Sequence, residues 1–281
     1  MSAWFSPHGE SAGPLRAALQ GDLGGVGSGW GRKPDSVDHV HDPQSGQITF
    51  RDGDESKQLV LPPPPSERVC RWCLGLLGGR IDACFNCEEN AAALDGRLQQ
   101  ITAVSLYAKP GRLRDWLTFY KDDGEVLADA AAGRAIGAIL RHFFVANEAW
   151  LTALCVDVAV VVPSTLRPPP HPLSVLLERE AVLPVELVPG LKRTTAELGH
   201  NRPNPSAFVV SEELIGKRIL LLDDVYTSGA RAQSAAFALR EAGSTVVALC
   251  VVGRRYNLDY SADSAAVFGE QTAQPFNWIR E

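Results

Sequence analysis

Apolar runs alternate with amphipathic stretches from residue 101 onward, and this alternation is the clearest structural signal in the chain. Residues 101–107 alternate apolar with small or polar side chains, which is typical of an edge strand. Residues 156–162 and 219–222 are apolar almost throughout, as in strands covered on both faces. The predicted strands are 101–107, 156–162, 182–187, 219–222 and 245–252. Helical spacing predicts helices over 111–120, 125–146 and 230–242. This order predicts an α/β fold with a mostly parallel sheet flanked by helices.

The first 66 residues lack such a pattern and are rich in Gly, Pro, Ser and Asp. We interpret residues 1–66 as an N-terminal extension that is largely linker-like. Two short apolar runs, 47–50 and 58–61, predict a small hairpin within it. The prolines Pro62 to Pro65 then form a stiff spacer, so the folded domains are expected after this point.

Four cysteines follow the extension in two C-x2-C pairs, Cys70/Cys73 and Cys84/Cys87, with ten residues between the pairs. This spacing matches the two knuckles of a zinc ribbon around one structural Zn2+, which we assign to residues 67–95. The connection is long enough for two ribbon strands. Iron suits the same thiolates, so zinc and iron both stay open. Redox-active CxxC pairs are the competing interpretation, but two copies so close together favour a metal.

Composition limits the classes of protein that the chain can belong to. It has 281 residues, 45% hydrophobic and 21% charged, with a formal net charge of -6. These values are typical of a globular protein with one ordinary domain and accessory segments. The acidic balance argues against a surface that coats nucleic acid broadly, although it is compatible with a local basic groove. Neither a membrane-spanning run nor a leader is evident, which predicts a cytoplasmic, reducing location and no membrane insertion.

The candidate chemistry directly follows the apolar run 219–222, where Asp223 and Asp224 precede a hydroxyl-rich loop. Paired carboxylates at the carboxyl end of a buried parallel strand lie at the rim of the sheet, where open α/β folds bind ligands. They can accept hydrogen bonds from the two adjacent hydroxyls of a ribose. The loop residues Thr227 and Ser228 precede a helix, whose first N–H groups are free to bind a phosphate. A simple helix N-cap is the structural alternative.

The whole segment, with four apolar residues, Asp-Asp, Val-x and Thr-Ser-Gly-Ala, resembles the phosphoribosyl diphosphate (PRPP) loop of type I phosphoribosyltransferases. The resemblance implies that Asp223 and Asp224 are the catalytic pair that holds the ribose hydroxyls. It also implies that the 5′-phosphate is bound by Thr227, Ser228, Gly229, Ala230 and Arg231. Arg231 stands where the family has Thr, so the chain loses one hydroxyl donor and gains a cation.

A narrower resemblance, over about residues 68–255, is to the ComF/GntX family of phosphoribosyltransferases. It depends on a four-cysteine ribbon ahead of the PRPP loop, on Val162-Pro163 at the end of a strand, and on a distal segment with spaced arginines. It implies a phosphoribosyltransferase-like domain over residues 96–256, followed by a C-terminal tail, residues 257–281.

The resemblance implies two further ligand segments by position. After Val162-Pro163, the loop that holds pyrophosphate in type I enzymes corresponds to Ser164, Thr165, Leu166 and Arg167. The family has a basic Arg-Gly-Phe-Asn segment here, whereas this chain continues with three prolines that lack N–H donors. A basic flap over the pyrophosphate is implied for Lys192, Arg193 and Arg202. Solvated loop charges are the alternative interpretation of all these cations.

The implied reaction is displacement of pyrophosphate from C1 of PRPP by a nitrogen nucleophile, with Mg2+ bridging diphosphate and ribose oxygens. No residue identifies the acceptor. Two competing hypotheses use the same fold without turnover. One is a scaffold or sensor that binds PRPP or a nucleotide, and the other is a protein of DNA uptake that binds single-stranded DNA or a competence-type partner. Sparse pairing of basic and aromatic residues, chiefly Arg71-Trp72, gives little support to a strand-stacking surface.

Overall fold

The computed structural model describes residues 39–41, 48–50, 55–121, 130–164, 167–180 and 182–279, all within one compact unit, residues 35–281. The strands in these ranges are β1 (His39–His41), β2 (Ile48–Phe50), β3 (Ile101–Tyr107), β4 (Val158–Val161), β5 (Glu186–Leu187), β6 (Leu191–Arg193), β7 (Phe208–Val210), β8 (Arg218–Tyr226) and β9 (Thr245–Arg255). The helices are α1 (Phe85–Ala93), α2 (Arg112–Phe119), α3 (Ala130–Ala146), α4 (Glu148–Ala153), α5 (Pro172–Arg179), α6 (Ala230–Glu241) and α7 (Ala262–Thr272). Each strand and helix predicted from residue 101 onward is found, although several differ in extent.

A parallel sheet forms the centre of the fold, with strand order β3-β9-β8-β4-β5. β8 lies in the middle, and its Leu221 is paired with Leu249 of β9 and Val160 of β4. β3 lies at an edge, as its alternating pattern predicts. The predicted fold class, a parallel α/β sheet flanked by helices with a cysteine cluster ahead of it, is confirmed.

Side chains of β8 alternate between two hydrophobic clusters, one on each face of the sheet. Ile219 and Leu221 belong to the cluster that contains α6 and the cysteine segment. Leu220 and Leu222 belong to the cluster that contains parts of α2, α3 and α5. Full burial of one such side chain contributes about 1.5–3 kcal/mol. The core therefore has three layers, and β8 runs through the middle one.

β8 is longer than the sequence predicts, because it continues through both acids to Tyr226. Asp223 is paired with Val251 of β9, and Val225 is paired with Gly253. The prediction that the acids end the strand is therefore wrong. Carboxylates can lie inside a central strand only where cations or hydrogen-bond donors compensate them.

The edge of the sheet opposite β3 has less strand pairing than predicted. The expected strand 182–187 is reduced to the two residues of β5. Pro184 has no N–H to donate to a ladder, which accounts for the shorter pairing. The helix predicted over 125–146 is found from Ala130, and residues 125–129 lie outside the described ranges.

The hairpin predicted between 47–50 and 58–61 is wrong. β2 pairs antiparallel with β1 instead. Val60 forms a bridge with Leu106 of β3 and donates its N–H to Ser105 Oγ at 2.9 Å. The outer edge of β3 offers unpaired backbone groups, and this segment satisfies some of them. Most of the linker-like extension lies outside the described residues.

The helices α1, α4, α5 and α7 have no counterpart among the predicted elements. α5 begins directly at Pro172, which takes the first helical position, where a missing N–H removes no hydrogen bond. α7 belongs to the tail, and its Val267 is buried in the core cluster. No helix in the described ranges is long and apolar enough to cross a bilayer.

Gly229 connects β8 to α6 in the left-handed conformation, with φ of 84°. A Cβ on this residue would collide with the hydroxyl and ring of Tyr226. We expect Gly229→Ala to lower the free energy of unfolding by at least about 1–2 kcal/mol, through backbone strain and this collision. Urea unfolding followed by circular dichroism measures the effect.

Gly269 of α7 is the matched control, because a Cβ there meets nothing within 4 Å. We expect Gly269→Ala to raise the free energy of unfolding by about 0.5–1 kcal/mol. Equal shifts in the two variants would contradict the strained connection.

Candidate functional site

The two acids of β8 point to opposite faces of the sheet and are covered there by different elements. Asp223 is 2% exposed and Asp224 is 1% exposed. Asp224 Oδ2 accepts hydrogen bonds from the Tyr120 hydroxyl at 2.8 Å and from Lys121 Nζ at 2.5 Å, both at the end of α2. The sequence predicts carboxylates that face a ligand at the rim of the sheet. In the structure they are instead buried beneath protein donors.

Arg231, in the first turn of α6, covers Asp223 from the other face. Its Nη2 lies 2.5 Å from Asp223 Oδ1, and its Nε lies 3.3 Å from Asp223 Oδ2. The same Nη2 lies 3.4 Å from Asp224 Oδ1. Arg231 is therefore engaged with both carboxylates.

Electrostatics separates the two acids. Burial raises the pKa of Asp223 to about 6, although the charge of Arg231 opposes this shift. Burial acts in the same direction on Asp224, but the charges of Lys121 and Arg231 outweigh it and hold the pKa of that carboxyl well below its usual range. Asp224 is therefore ionised at neutral pH, and the neighbouring cations stabilise this buried negative charge.

His171 was given no role by the sequence analysis, yet it is buried close to these charges. Its Nδ1 accepts the N–H of Leu173 at 3.0 Å and so caps α5. Burial lowers the pKa of His171 to about 4, although the charge of Asp224 opposes the shift. At neutral pH the ring is uncharged and carries its proton on Nε2. A His immediately before the Pro of a helix start is the sequence signal that could have found it.

The loop between β8 and α6 has its carbonyls held from one side. Arg254 Nη1 donates to Tyr226 O at 3.2 Å and to Thr227 O at 2.9 Å. Asn90 Nδ2 donates to Ser228 O at 2.9 Å. Since C=O and N–H of a trans peptide point in opposite directions, the N–H groups that follow these carbonyls point to the other side.

Two of those N–H groups, together with the N–H of Ala230, are available for a ligand. Among the described residues, the backbone N–H groups of Ser228, Gly229 and Ala230 have no hydrogen-bond partner. They lie at the N-terminus of α6, where the helix dipole favours an anion. Ser228 Oγ accepts the N–H of Asn201 at 3.2 Å, which leaves the hydroxyl proton free to be donated. The arrangement is that of an anion-binding cradle.

The predicted pyrophosphate loop follows β4, the strand beside β8, so it starts at the same end of the sheet. Ser164 and Arg167 are half-buried, and Ser164 Oγ accepts the Arg167 N–H at 3.1 Å. Thr165 and Leu166 lie outside the described residues. The role of this loop stays a prediction.

The predicted flap is a hairpin of β6 and β7 with a long connection. Arg193 donates to Ala207 O at 2.7 Å and to Ala196 O at 3.0 Å, so its guanidinium holds the connection together. Arg202 forms an exposed ion pair with Glu197 at 3.0 Å. Lys192 is exposed. The connection reaches the anion cradle through the bond from Asn201 to Ser228, but the predicted pyrophosphate contacts are not tested by this geometry.

The four cysteines form a compact buried cluster. Their Sγ atoms all lie within 4.8 Å of one another, with Cys70 to Cys87 at 3.8 Å and Cys73 to Cys84 at 3.4 Å. Tetrahedral zinc with Zn–S bonds of about 2.3 Å places its sulfurs roughly 3.8 Å apart, so the four thiols fit the metal. The cluster could equally hold another thiophilic ion of the same geometry.

The backbone around the cluster differs from a two-stranded ribbon. In the described part of 67–95, β pairing consists of one bridge, Val69 to Leu76. Cys84 directly precedes α1 at the N-cap position and Cys87 lies in the first turn, so a helix positions the second pair. The ten-residue spacing is compatible with both arrangements. The expectation of two ribbon strands is therefore wrong, whereas the cysteine cluster is confirmed.

A cavity of about 390 Å³ opens beside the anion cradle. Its wall includes Thr227 of the loop, Phe85 and Asn86 of α1, Arg255 at the end of β9 and Tyr256 directly after it. Aromatic and amide groups together suit a planar polar ligand. Neither the cavity nor its lining from α1 follows from the sequence pattern.

No protein-family model matches the chain, and no curated protein matches its sequence significantly. Among solved structures, it is similar to the allosteric regulatory enzyme of purine biosynthesis, with 16% identity over 50% of this chain and 30% of that one, and a TM-score of 0.34. It is also similar to a phosphoribosyltransferase from Corynebacterium diphtheriae (21% identity, 66% of this chain and 89% of that one, TM-score 0.31). A purine phosphoribosyltransferase from Pyrococcus horikoshii Ot3 matches with 16% identity, 50% and 92% coverage, and a TM-score of 0.24. Likenesses this distant leave the function to be argued from the site residues.

We expect the purified protein to carry about one zinc ion per chain, because four thiolates leave no open position in a tetrahedral site. Cys84→Ser should lose most of this metal. Cys155→Ser is the matched control, since that exposed thiol lies outside the cluster and the metal content should not change. Elemental analysis and a count of free thiols measure the outcome. A metal-free protein with disulfides between these cysteines would contradict the prediction of a metal site.

We expect Lys121→Met to lower the free energy of unfolding by about 1–3 kcal/mol at neutral pH. This is less than the usual cost of removing one partner of a fully buried ion pair. The cost is smaller because Tyr120 and Arg231 remain beside Asp224 and because Lys121 is 23% exposed. Because the pKa of Asp224 is depressed, its contribution is present at neutral pH and is lost as the pH falls through the depressed value. The gap between wild type and variant should therefore narrow in acid.

Urea unfolding across a pH series measures this gap. Lys192→Met is the control, because Lys192 is an exposed lysine on β6, and the change should have little effect. A pH-independent gap would show that Asp224 is not the partner that matters.

Proposed function

We propose that the chain is a phosphoribosyltransferase that binds PRPP with Mg2+ and transfers the phosphoribosyl group to a nitrogen acceptor with release of pyrophosphate. The observation that carries this proposal is the anion cradle of Ser228, Gly229 and Ala230 directly after two carboxylates on the central strand. Membership of the ComF/GntX family is part of the proposal, supported by the cysteine cluster ahead of the sheet.

In this proposal the 5′-phosphate lies on the three free N–H groups, with the Ser228 hydroxyl as a further donor. Asp223 and Asp224 accept hydrogen bonds from the ribose hydroxyls. When bound with PRPP, Mg2+ neutralises the diphosphate and polarises the leaving group. The residues of the chain itself contribute position and charge, and Arg167 is the cation proposed to face the leaving pyrophosphate.

The ion pairs at Asp223 and Asp224 oppose the binding of a ribose. Ribose hydroxyls can reach Asp223 and Asp224 only if Arg231 and Lys121 release them. Each released cation needs a new anionic partner, and the phosphate and diphosphate of PRPP provide two. Binding is thus an exchange of partners, in which Arg231 moves from carboxylate to phosphate.

The acceptor is proposed to enter the cavity beside Thr227. Phe85 and Tyr256 can pack against a planar ring there, and Asn86 can bond to its edge. Purine, pyrimidine and small aromatic amine acceptors all meet this description.

One observation favours a second candidate, a PRPP-binding scaffold without turnover. The acids are compensated internally by Lys121 and Arg231, and Pro168, Pro169 and Pro170 remove N–H donors from the loop after β4. Both features weaken transition-state stabilisation while leaving the anion cradle intact. Single-stranded DNA or a competence-type partner stays a prediction from the family resemblance.

The deciding experiment is incubation of the zinc-loaded protein with PRPP, Mg2+ and a panel of purine, pyrimidine and amine acceptors, with pyrophosphate release as the readout. We expect release that depends on one class of acceptor. Asp223→Asn should reduce it at least about tenfold, because one charged acceptor of ribose bonds is lost. Asp157→Asn at the amino end of β4 is the control and should leave it unchanged.

Calorimetric titration with PRPP separates the alternatives. Binding without release for any acceptor would establish the scaffold in place of the transferase. No binding of PRPP, together with tight and salt-sensitive binding of single-stranded DNA, would refute the proposal in favour of the DNA-uptake hypothesis.

A further inference from the structure

The segment that holds the metal cluster is attached directly to the anion cradle. We call residues 69–93 the metal segment, because they contain the four cysteines and α1. Asn90 of this segment donates to Ser228 O at 2.9 Å. Arg254 donates to Cys73 O at 2.6 Å on one side and to the carbonyls of Tyr226 and Thr227 on the other. Three consecutive carbonyls of the loop are therefore tied to the metal segment.

Asn90 is poorly explained as a stabilising residue. It is 1% exposed, and its Oδ1 has no hydrogen-bond partner among the described residues. An unpaired buried acceptor lowers stability, so an apolar residue would suit this place in α1 better. Its one described bond, through Nδ2, goes to the cradle. The side chain thus has a use that is separate from stability.

Arg254 shows the same bias. It is 6% exposed, and its described bonds go to backbone carbonyls and to Cys73 Sγ, at 3.7 Å, with no carboxylate among them. A buried guanidinium needs a compensating negative charge, and four metal-bound thiolates provide one. Gly75 leaves room for it, because a Cβ there would collide with Arg254 Nη2.

We propose that Asn90 and Arg254 are positioning residues through which the four-cysteine metal centre sets the direction of the cradle N–H groups. By holding the carbonyls of residues 226–228, they orient the peptide groups that carry the N–H groups of Ser228 and Gly229, two of the three cradle donors, toward the ligand. Metal binding and phosphate binding are then coupled, so each strengthens the other by the same factor. The inference rests on the proposed function for the identity of the anion, but not for the ordering of the loop.

The test compares Asn90→Ala with Glu89→Ala in the zinc-loaded protein. Both substitutions truncate a polar side chain of α1, but Glu89 is exposed, lies outside the cavity wall and has no described bond to the cradle. The first readout needs no ligand, namely the backbone order parameters of Ser228 and Gly229 by 15N relaxation. We expect a fall from about 0.85 toward 0.6 in Asn90→Ala only. The melting temperature should change little, because removal of the unpaired acceptor offsets loss of the hydrogen bond to Ser228 O.

The second readout is ribose 5-phosphate binding and zinc affinity by chelator competition. We expect ribose 5-phosphate to bind about three- to tenfold more weakly to Asn90→Ala than to wild type. The ligand should also tighten zinc binding about fivefold or more in wild type and much less in the variant. Arg254→Lys keeps the positive charge but has fewer hydrogen-bond donors. Its affinity for ribose 5-phosphate should lie between those of wild type and Asn90→Ala.

Unchanged order parameters of Ser228 and Gly229 in Asn90→Ala would overturn the positioning role. A fall in melting temperature large enough to explain the weaker binding of ribose 5-phosphate would overturn it as well. Loop disorder in Asn90→Ala without ribose 5-phosphate or PRPP binding to wild type would sustain the positioning role and refute the proposed function alone.

Discussion

The fold around β8 depends on the compensation of two buried carboxylates by Lys121 and Arg231. Without these cations, a central strand could not continue through Asp223 and Asp224 while paired with β9, because burying an unpaired charge costs several kcal/mol. The end of α2 provides Lys121 to Asp224, and α6 provides Arg231, which contacts Asp223 and also reaches Asp224. The ion pairs therefore join both helical layers to the carboxyl end of the sheet.

The cradle beyond β8 is held in a different way. Its geometry depends on hydrogen bonds from the Asn90 amide and the Arg254 guanidinium to backbone carbonyls, and on the left-handed Gly229 that turns the chain into α6. The ion pairs thus fix where the strand ends, and the metal segment fixes how the loop after it is oriented. A site with two independent supports can exchange partners at one while the other stays in place.

The sequence predicts the parts of this structure that depend on local pattern. Dense apolar runs predict β4 and β8, alternation predicts the edge position of β3, and the cysteine spacing predicts the cluster. It does not predict contacts between distant segments. Asn90 and Ser228 are 138 positions apart, and nothing near either residue signals the other. The sequence does not predict the burial of the acids for the same reason, since Lys121 follows a helix about a hundred positions before its partner Asp224.

The paired charges also determine which molecules the site can distinguish. A ligand with hydroxyls alone would displace Arg231 and Lys121 and leave both without counter-ions. A simple phosphate would draw Arg231 away and leave Asp223 buried without its cation, with the Asp224 N–H as its remaining described donor. Under the proposed function, a molecule with a diol and one anionic group satisfies the carboxylates and Arg231 together, and a second anionic group satisfies Lys121 as well. Recognition of the sugar and recognition of the phosphate then depend on each other.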